Sequence, residues 1–189
     1  WTLPEQAPVL ARAISRAGLA LVGAGSPDPA RTGQVAGLLG CDPIDDLRHA
    51  LTLTEADLMI LGDPGSFGEL ARDADLESLR AAQARNMCVT TLEPIPAAAG
   101  EIAGTAFADA LHQGHLGDLA SFVPLTRHTP MIRELYTVLE TFAPVRACSI
   151  TLGAPGTLGS LGAHLFDAMD LVRSLVGVPN IIEAAYISP

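Results

Sequence analysis

The chain has 189 residues, of which 49% are hydrophobic and 17% are charged, and this excludes an intrinsically disordered protein. Its length suits one sizeable core, or one domain with a smaller attachment. The formal net charge is −10, and all 11 basic residues are arginine because the chain contains no lysine. Such a surface repels phosphate backbones and anionic lipids, so we expect no binding to nucleic acid or to membranes.

The first half of the chain alternates helical and strand patterns. Helical spacing of apolar residues predicts helices over 7–17, 32–39, 45–51 and 76–86. Short apolar runs that end at glycine or proline predict strands over 19–25, 57–64 and 87–94. Strands that alternate with helices predict an α/β fold with a parallel sheet.

The second half has a different pattern. It predicts helices over 98–114, 130–142 and 163–177, strands over 119–128, 145–153 and 181–188, and a glycine-rich loop over 154–162. The last of these strands reaches the end of the sequence. It therefore suggests an incomplete sheet, or a sheet that pairs with another chain.

The cysteines are few and far apart. Cys41, Cys88 and Cys148 form no CxxC pair, so we expect no disulfide framework, no metal site and a reducing, cytoplasmic compartment. No apolar run approaches the roughly 18–20 residues that span a bilayer. The first residues do not form a basic region followed by an apolar one, so we also expect no signal peptide.

Several candidate binding residues directly follow predicted strands, where parallel sheets bind their ligands. Gly25 and Ser26 lie in a turn that could bind phosphate or meet a cofactor ribose, although Asp28 stands where a third glycine is needed. Arg31 could neutralise a ribose phosphate or be a solvated surface residue. Asp63 and Pro64 open a loop of small residues that could equally be a plain surface turn.

Charged residues further along offer acid–base chemistry. Glu93 follows the third strand and could meet a ligand or simply begin a helix. His164 and Asp167 are three residues apart on one helix face, with Asp170 a further three residues on. His164 could transfer a proton, or it could be a structural histidine in a core. Arg127 could hold a substrate carboxylate or phosphate, or pair with a structural acid.

Three stretches, in order, resemble the Gfo/Idh/MocA oxidoreductases. Residues 19–51 resemble the second strand and following helix of that family. RAAQARNMCVTTLEPIP (80–96) resembles the approach to its Glu-Lys-Pro motif, and GSLGAHLFDAMDLVRSLVGVP (159–179) resembles its Asp-x-Gly-x-His segment. The resemblance implies a Rossmann-like parallel sheet over 1–104, with its first strand missing, and a partial α+β domain over 105–189.

The resemblance also implies an activity and a site. It implies NAD(P)-dependent oxidation of a sugar- or polyol-like alcohol, with His164 and Glu93 catalytic and Arg127 and Asp167 binding the small-molecule substrate. NAD or NADP would be bound by five residues near the ends of the strands: Gly25, Ser26, Asp63, Pro64 and Glu93.

Two positions depart from the family pattern. Glu93-Pro94 stands without the motif lysine, and Ser160 occupies the place of the motif aspartate. The missing lysine and the missing first strand favour an alternative function, a non-catalytic binding or assembly subunit. In that case we expect a homo-oligomer, or pairing with a partner subunit through the C-terminal sheet.

Overall fold

The computed structural model describes residues 1–68, 71–93, 95, 119–142, 145, 147–151 and 161–177. The chain divides into two compact units. Unit 1 comprises Trp1–Val123 and Ala154–Ala163, and unit 2 comprises Pro124–Gly153 and His164–Pro189. The predicted domain boundary at 104/105, the helix over 98–114 and the strand over 181–188 lie outside the described residues.

Four helices of unit 1 have ends that the sequence explains. They are α1 (Ala7–Arg16), α2 (Thr32–Leu39), α3 (Leu47–Leu53) and α4 (Arg72–Ala84). Gly40 ends α2 in the left-handed conformation at φ 72°. Asp46 caps α3, since its Oδ1 accepts from the amides of Arg48 (2.7 Å) and His49 (3.3 Å). The predicted helices are thus confirmed, but α4 begins earlier than expected, with two aspartates in a first turn that favours negative charge.

The strands of unit 1 form two small parallel sheets. They are β1 (Gly23–Ala24), β2 (Asp42–Pro43), β3 (Leu58–Leu61), β4 (Cys88–Thr91) and β5 (Ser121–Phe122). β1 pairs with β2 in one sheet, and the order in the other is β3-β4-β5. Every pairing is parallel, with Gly23 opposite Asp42, Leu58 opposite Cys88, and Thr90 opposite Ser121. A mixed α/β fold with parallel sheets is therefore confirmed.

Three strand predictions need correction. The strand expected over 19–25 is reduced to Gly23–Ala24, because residues 19–22 pair with no neighbouring strand. The strand expected over 119–128 ends at Phe122, and Thr126–His128 form a 3₁₀ turn instead. Residues 145 and 147–151 of the strand expected over 145–153 have no strand pairing. An apolar pattern becomes a strand only where a partner completes its ladder.

The core of unit 1 lies between the β3-β4-β5 sheet and the helices α3 and α4. Leu51 on α3 and Leu61 on β3 are completely buried, and Leu79 on α4 is nearly so. Val89 on β4 and Leu119 belong to the same cluster. This packing fixes the carboxyl ends of β3 and β4 and the loops that follow them.

Two helices belong mainly to unit 2. They are α5 (Pro130–Leu139) and α6 (Leu161–Val176), whose residues from His164 onward lie in unit 2. The Tyr136 hydroxyl on α5 hydrogen-bonds the Ser174 hydroxyl on α6. Both helices were predicted from apolar spacing. Among the described residues, no helix is both long and apolar enough to cross a membrane.

Candidate functional site

The loops that follow β1 and β3 meet at the carboxyl edge of the sheets. Gly65 has a φ of 60°, and a Cβ atom on it would lie 2.5 Å from the Cβ of Pro27. Only glycine therefore permits this contact at this backbone conformation. The two loops, together with residues 45–48 after β2, form the walls of a crevice.

The crevice has a volume of about 270 Å³ and walls of mixed chemistry. Trp1, Pro27 and Pro64 are among its lining residues, but the exposed surface of the lining is mainly polar. Phe67 also borders it, although its side chain is buried in the core of unit 1. Asp45, which is exposed, brings a carboxylate to the lining. An aromatic side chain beside a carboxylate suits a nucleoside, because the base can stack on the ring and the ribose hydroxyls can donate to the carboxylate.

The charges around the crevice leave it acidic. Arg48 is part of the lining, but its Nε donates to Oδ1 of the buried Asp75 at 2.6 Å. The other oxygen of Asp75 accepts from the Gly68 amide at 2.7 Å. Since the positive charge of Arg48 is balanced by Asp75, Asp45 and Asp46 dominate the local potential. That potential favours donors such as ribose hydroxyls over phosphate groups.

Trp1 occupies the space between the two sheets. Its ammonium group donates to the carbonyl of Ile60 at 2.8 Å, and its carbonyl accepts from the Gly62 amide at 2.7 Å. Burial lowers the pKa of this ammonium group from 8.0 to about 6. The indole ring lies against Gly25, where a Cβ atom would come within 2.2 Å of a ring carbon.

The predicted cofactor residues all lie near this edge, but their side chains are engaged differently. The buried Ser26 accepts from the Asp28 amide at 3.3 Å, and Asp63 accepts from the Gly65 amide at 2.8 Å, so both stabilise their own turns. Pro64 lines the crevice. Glu93 is buried directly after β4, and its amide donates to the Thr91 hydroxyl at 3.2 Å.

Arg31 is not free to meet a phosphate. Its guanidinium forms an ion pair with Glu5. The hydrogen bond from Arg31 lowers the pKa of the Glu5 carboxyl below its usual value. Arg31 is therefore a surface residue, as in the second interpretation, and it is paired with an acid that precedes α1.

A second group of polar side chains lies in unit 2. Thr126 donates to Oδ2 of Asp167 at 2.7 Å, and Arg127 donates to Oδ1 of Asp170 at 3.1 Å. The remaining oxygens, Oδ1 of Asp167 and Oδ2 of Asp170, are buried without a hydrogen-bond partner. His164 is half-buried one turn earlier on the same helix. Both oxygens have almost no solvent-accessible surface, so they do not face an open site.

The predicted catalytic and substrate residues are thus divided between the units. Glu93 belongs to unit 1, whereas Arg127, His164 and Asp167 belong to unit 2. Arg127 pairs with Asp170 and not with Asp167. Within the described ranges, no group of three or more His, Cys, Asp or Glu side chains is arranged to hold a metal ion.

Sequence reasoning missed Trp1, Asp45 and Phe67 as residues of the crevice. Phe67 carried a usable signal, because it lies within the loop that follows the predicted strand over 57–64. Trp1 and Asp45 carried none, since they reach the crevice only through the way the loops fold together. Comparison of the chain with protein-family models, with curated proteins and with solved structures finds no match.

Proposed function

We propose that unit 1 is a Rossmann-like scaffold that binds the nucleoside part of NAD or NADP in the crevice between the loops after β1 and β3. The observation that supports this proposal most directly is the position of the crevice. It lies beyond the carboxyl ends of parallel strands, between the β1-β2 sheet and the β3-β4-β5 sheet. Open α/β sheets bind their ligands at such a position.

The lining fits an adenosine better than it fits a pyrophosphate. Trp1 offers an aromatic ring for a base, and Asp45 offers an acceptor for ribose hydroxyls. Arg31 and Arg48 are both held by carboxylates. Tight binding of the diphosphate would therefore need donors other than these two arginines.

The cofactor, when bound, would accept hydride from an alcohol carbon of a sugar- or polyol-like substrate. The chain's own contribution would be to bind the hydroxyl groups and to take up a proton. Within unit 2, His164 is the residue proposed to accept that proton, with Arg127 and Asp167 binding substrate. Glu93 belongs to unit 1, and its proposed place is beside the cofactor. No lysine is present to share this work.

Fluorescence gives a direct test, because Trp1 is the only tryptophan of the chain and lines the crevice. Titration with NADH or NADPH should quench the Trp1 emission and transfer energy to the reduced nicotinamide. Adenosine alone should quench it as well. An unchanged spectrum and no heat of binding at millimolar cofactor would refute nucleotide binding.

Variants make the test specific to the crevice. Asp45→Asn removes a charged acceptor and should weaken binding about tenfold or more. Asp73→Asn is the matched control, since Asp73 is an exposed aspartate on α4 outside the crevice lining. If cofactor binds and a polyol is oxidised, His164→Ala should abolish turnover, and unchanged turnover would remove His164 from the mechanism.

A second candidate function, a non-catalytic assembly subunit, has its own support. Met131, Leu135 and Val138 follow one face of α5, and Phe142 continues the same spacing beyond it. All four are exposed, Met131 by 75%. An apolar stripe of this kind could pair with its copy in a second chain.

The oligomeric state distinguishes this candidate. Light scattering should give a dimer mass, and Met131→Glu combined with Val138→Glu should give a monomer. Thr137→Glu, an exposed position off the stripe, should leave the dimer intact. A monomeric mass for the unaltered chain at high micromolar concentration would exclude assembly through α5.

A further inference from the structure

A second cavity separates the two sheets of unit 1. It measures about 310 Å³ and lies between residues 19–24, which lead into and form β1, and residues 54–60, which lead into and form β3. Leu10 and Ile14 of α1 close one side of it. We call this cavity the slot.

The apolar side chains around the slot are unusually open for a parallel sheet. Strands of such sheets are normally buried on both faces. Here Val22 is 53% exposed, and Leu58, Met59 and Ile60 are only half-buried. The exposure is explained if the hydrogen-bonded neighbour of both strands is absent from the sheet.

The backbone groups along the slot also indicate that a strand is missing there. On β1, Ala24 is hydrogen-bonded on the β2 side, since its carbonyl accepts from Ile44 at 2.8 Å. Strand alternation therefore directs the amides of Gly23 and Gly25 toward the slot. On β3, the carbonyls of Asp57 and Leu61 accept from β4 and its following residue, at 2.8 and 2.9 Å, so Leu58 and Ile60 face the slot.

Trp1 already forms backbone hydrogen bonds of the kind that a strand in the slot would form with β3. Its amino nitrogen donates to Ile60 and its carbonyl accepts from Gly62, which is the parallel pattern around Leu61. On the other side, the Thr2 amide donates to the Gly25 carbonyl at 3.0 Å. Trp1 is therefore in register with both sheets, between Gly25 and Leu61.

We propose that the slot takes one further parallel strand of about five apolar residues, one for each position from Ala20 to Ala24, joined directly to the nitrogen of Trp1. The residue joined to Trp1 would lie between Ala24 and Ile60, with its carbonyl accepting from the Gly25 amide. The joined strand would connect β1 and β3 into one continuous parallel sheet in the order β2-β1-slot-β3-β4-β5.

The join to Trp1 follows from the chemistry at the end of the slot. In the register set by Trp1, the carbonyl carbon of the preceding strand residue would fall at bonding distance from the Trp1 nitrogen, where a separate peptide has no room for both chain ends. An amide at this point removes both charges and keeps the donor to Ile60. The proposal rests on the geometry of the slot alone, so it stands or falls independently of nucleotide binding.

The test compares the chain with two versions extended before Trp1. One extension is Val-Ile-Val-Ile-Val, and the matched control is Val-Pro-Val-Pro-Val, whose prolines lack the amides that would donate toward β3. Hydrogen exchange at the Gly23, Gly25 and Ile60 amides should slow at least about tenfold only with the first extension. The Leu92 amide, which donates to β3 from the opposite side at 2.9 Å, serves as the internal reference.

Two further measurements make the outcome decisive. The apolar dye anilinonaphthalene sulfonate should bind the chain and the proline version equally, and the Val-Ile extension should lower that fluorescence. Equal exchange and equal dye binding in the two extended versions would overturn the strand site. If a free Lys-Lys-Val-Ile-Val-Ile-Val peptide gives the same protection to the unextended chain, the direct join to Trp1 is refuted.

Discussion

In a chain whose first residue is Trp1, the buried ammonium group makes stability depend on pH near neutrality. In the unfolded chain the group has its ordinary pKa of 8.0, and in the folded chain burial lowers the pKa to about 6. Between these values the unfolded state binds more protons than the folded state, so the free energy of unfolding rises with pH. A difference of about two pKa units corresponds to about 3 kcal/mol.

The expected curve has a defined shape. The free energy of unfolding is highest above pH 8, falls by about 3 kcal/mol as the pH falls from 8 to 6, and does not change further below the folded pKa. Urea denaturation at pH 5.5, 7 and 8.5 measures it directly. The histidines also titrate in this range, so the raw curve alone does not isolate the ammonium group.

Acetylation of Trp1 provides the control. The acetylated chain has no ammonium group but retains every histidine, so the difference between the two curves reports Trp1 alone. That difference should be about 3 kcal/mol near pH 5.5 and close to zero at pH 8.5. Parallel curves for the free and acetylated chains would show that the ammonium group is hydrated, and would refute the burial of Trp1 nitrogen between the sheets.

Three paired substitutions test the packing of unit 1 by urea denaturation. Leu51→Ala empties a fully buried position and should cost about 2–5 kcal/mol, whereas Leu53→Ala at a 64% exposed position should cost under about 0.5 kcal/mol. Gly25→Ala places a methyl carbon 2.2 Å from both the Ile44 carbonyl oxygen and a Trp1 ring carbon and should destabilise by about 3 kcal/mol or more, while Gly37→Ala in α2 meets nothing within 4 Å and should stabilise by about 0.5–1 kcal/mol. Asp46→Ala removes the cap of α3 and should cost about 1 kcal/mol, which Asp46→Asn should largely restore. If the two variants of a pair changed the free energy of unfolding equally, the contact assigned to the first residue of that pair would be contradicted.

The sequence predicted the helices well because their signals are local. The glycine stop at Gly40 and the apolar spacing of α1 are readable within a few residues. The cap at Asp46 was not predicted, since residues 45 and 46 were expected inside the helix that begins at Leu47. Strand lengths were less predictable. The run over 19–25 has the composition of a buried strand, yet only Gly23 and Ala24 pair, because pairing depends on a neighbour remote in the chain.

The candidate site was predictable in part for the same reason. The positions after β1, β3 and β4 were expected to carry ligand-binding residues, since every parallel strand ends at the same edge. The roles of the side chains were not predictable. Ser26 and Asp63 bond to their own turns, and Arg31 is paired with Glu5, and these partners depend on the folded positions of the loops.

Trp1 links the two open spaces of unit 1. Its backbone closes the end of the slot through Ile60 and Gly62, and its ring forms a wall of the crevice. A strand joined to Trp1 would fix the backbone on its amino side as well, and the ring would then lose little freedom when a base stacks on it. Because ordering a binding residue in advance lowers the cost of association, filling the slot should tighten nucleoside binding without adding any contact to the nucleoside itself.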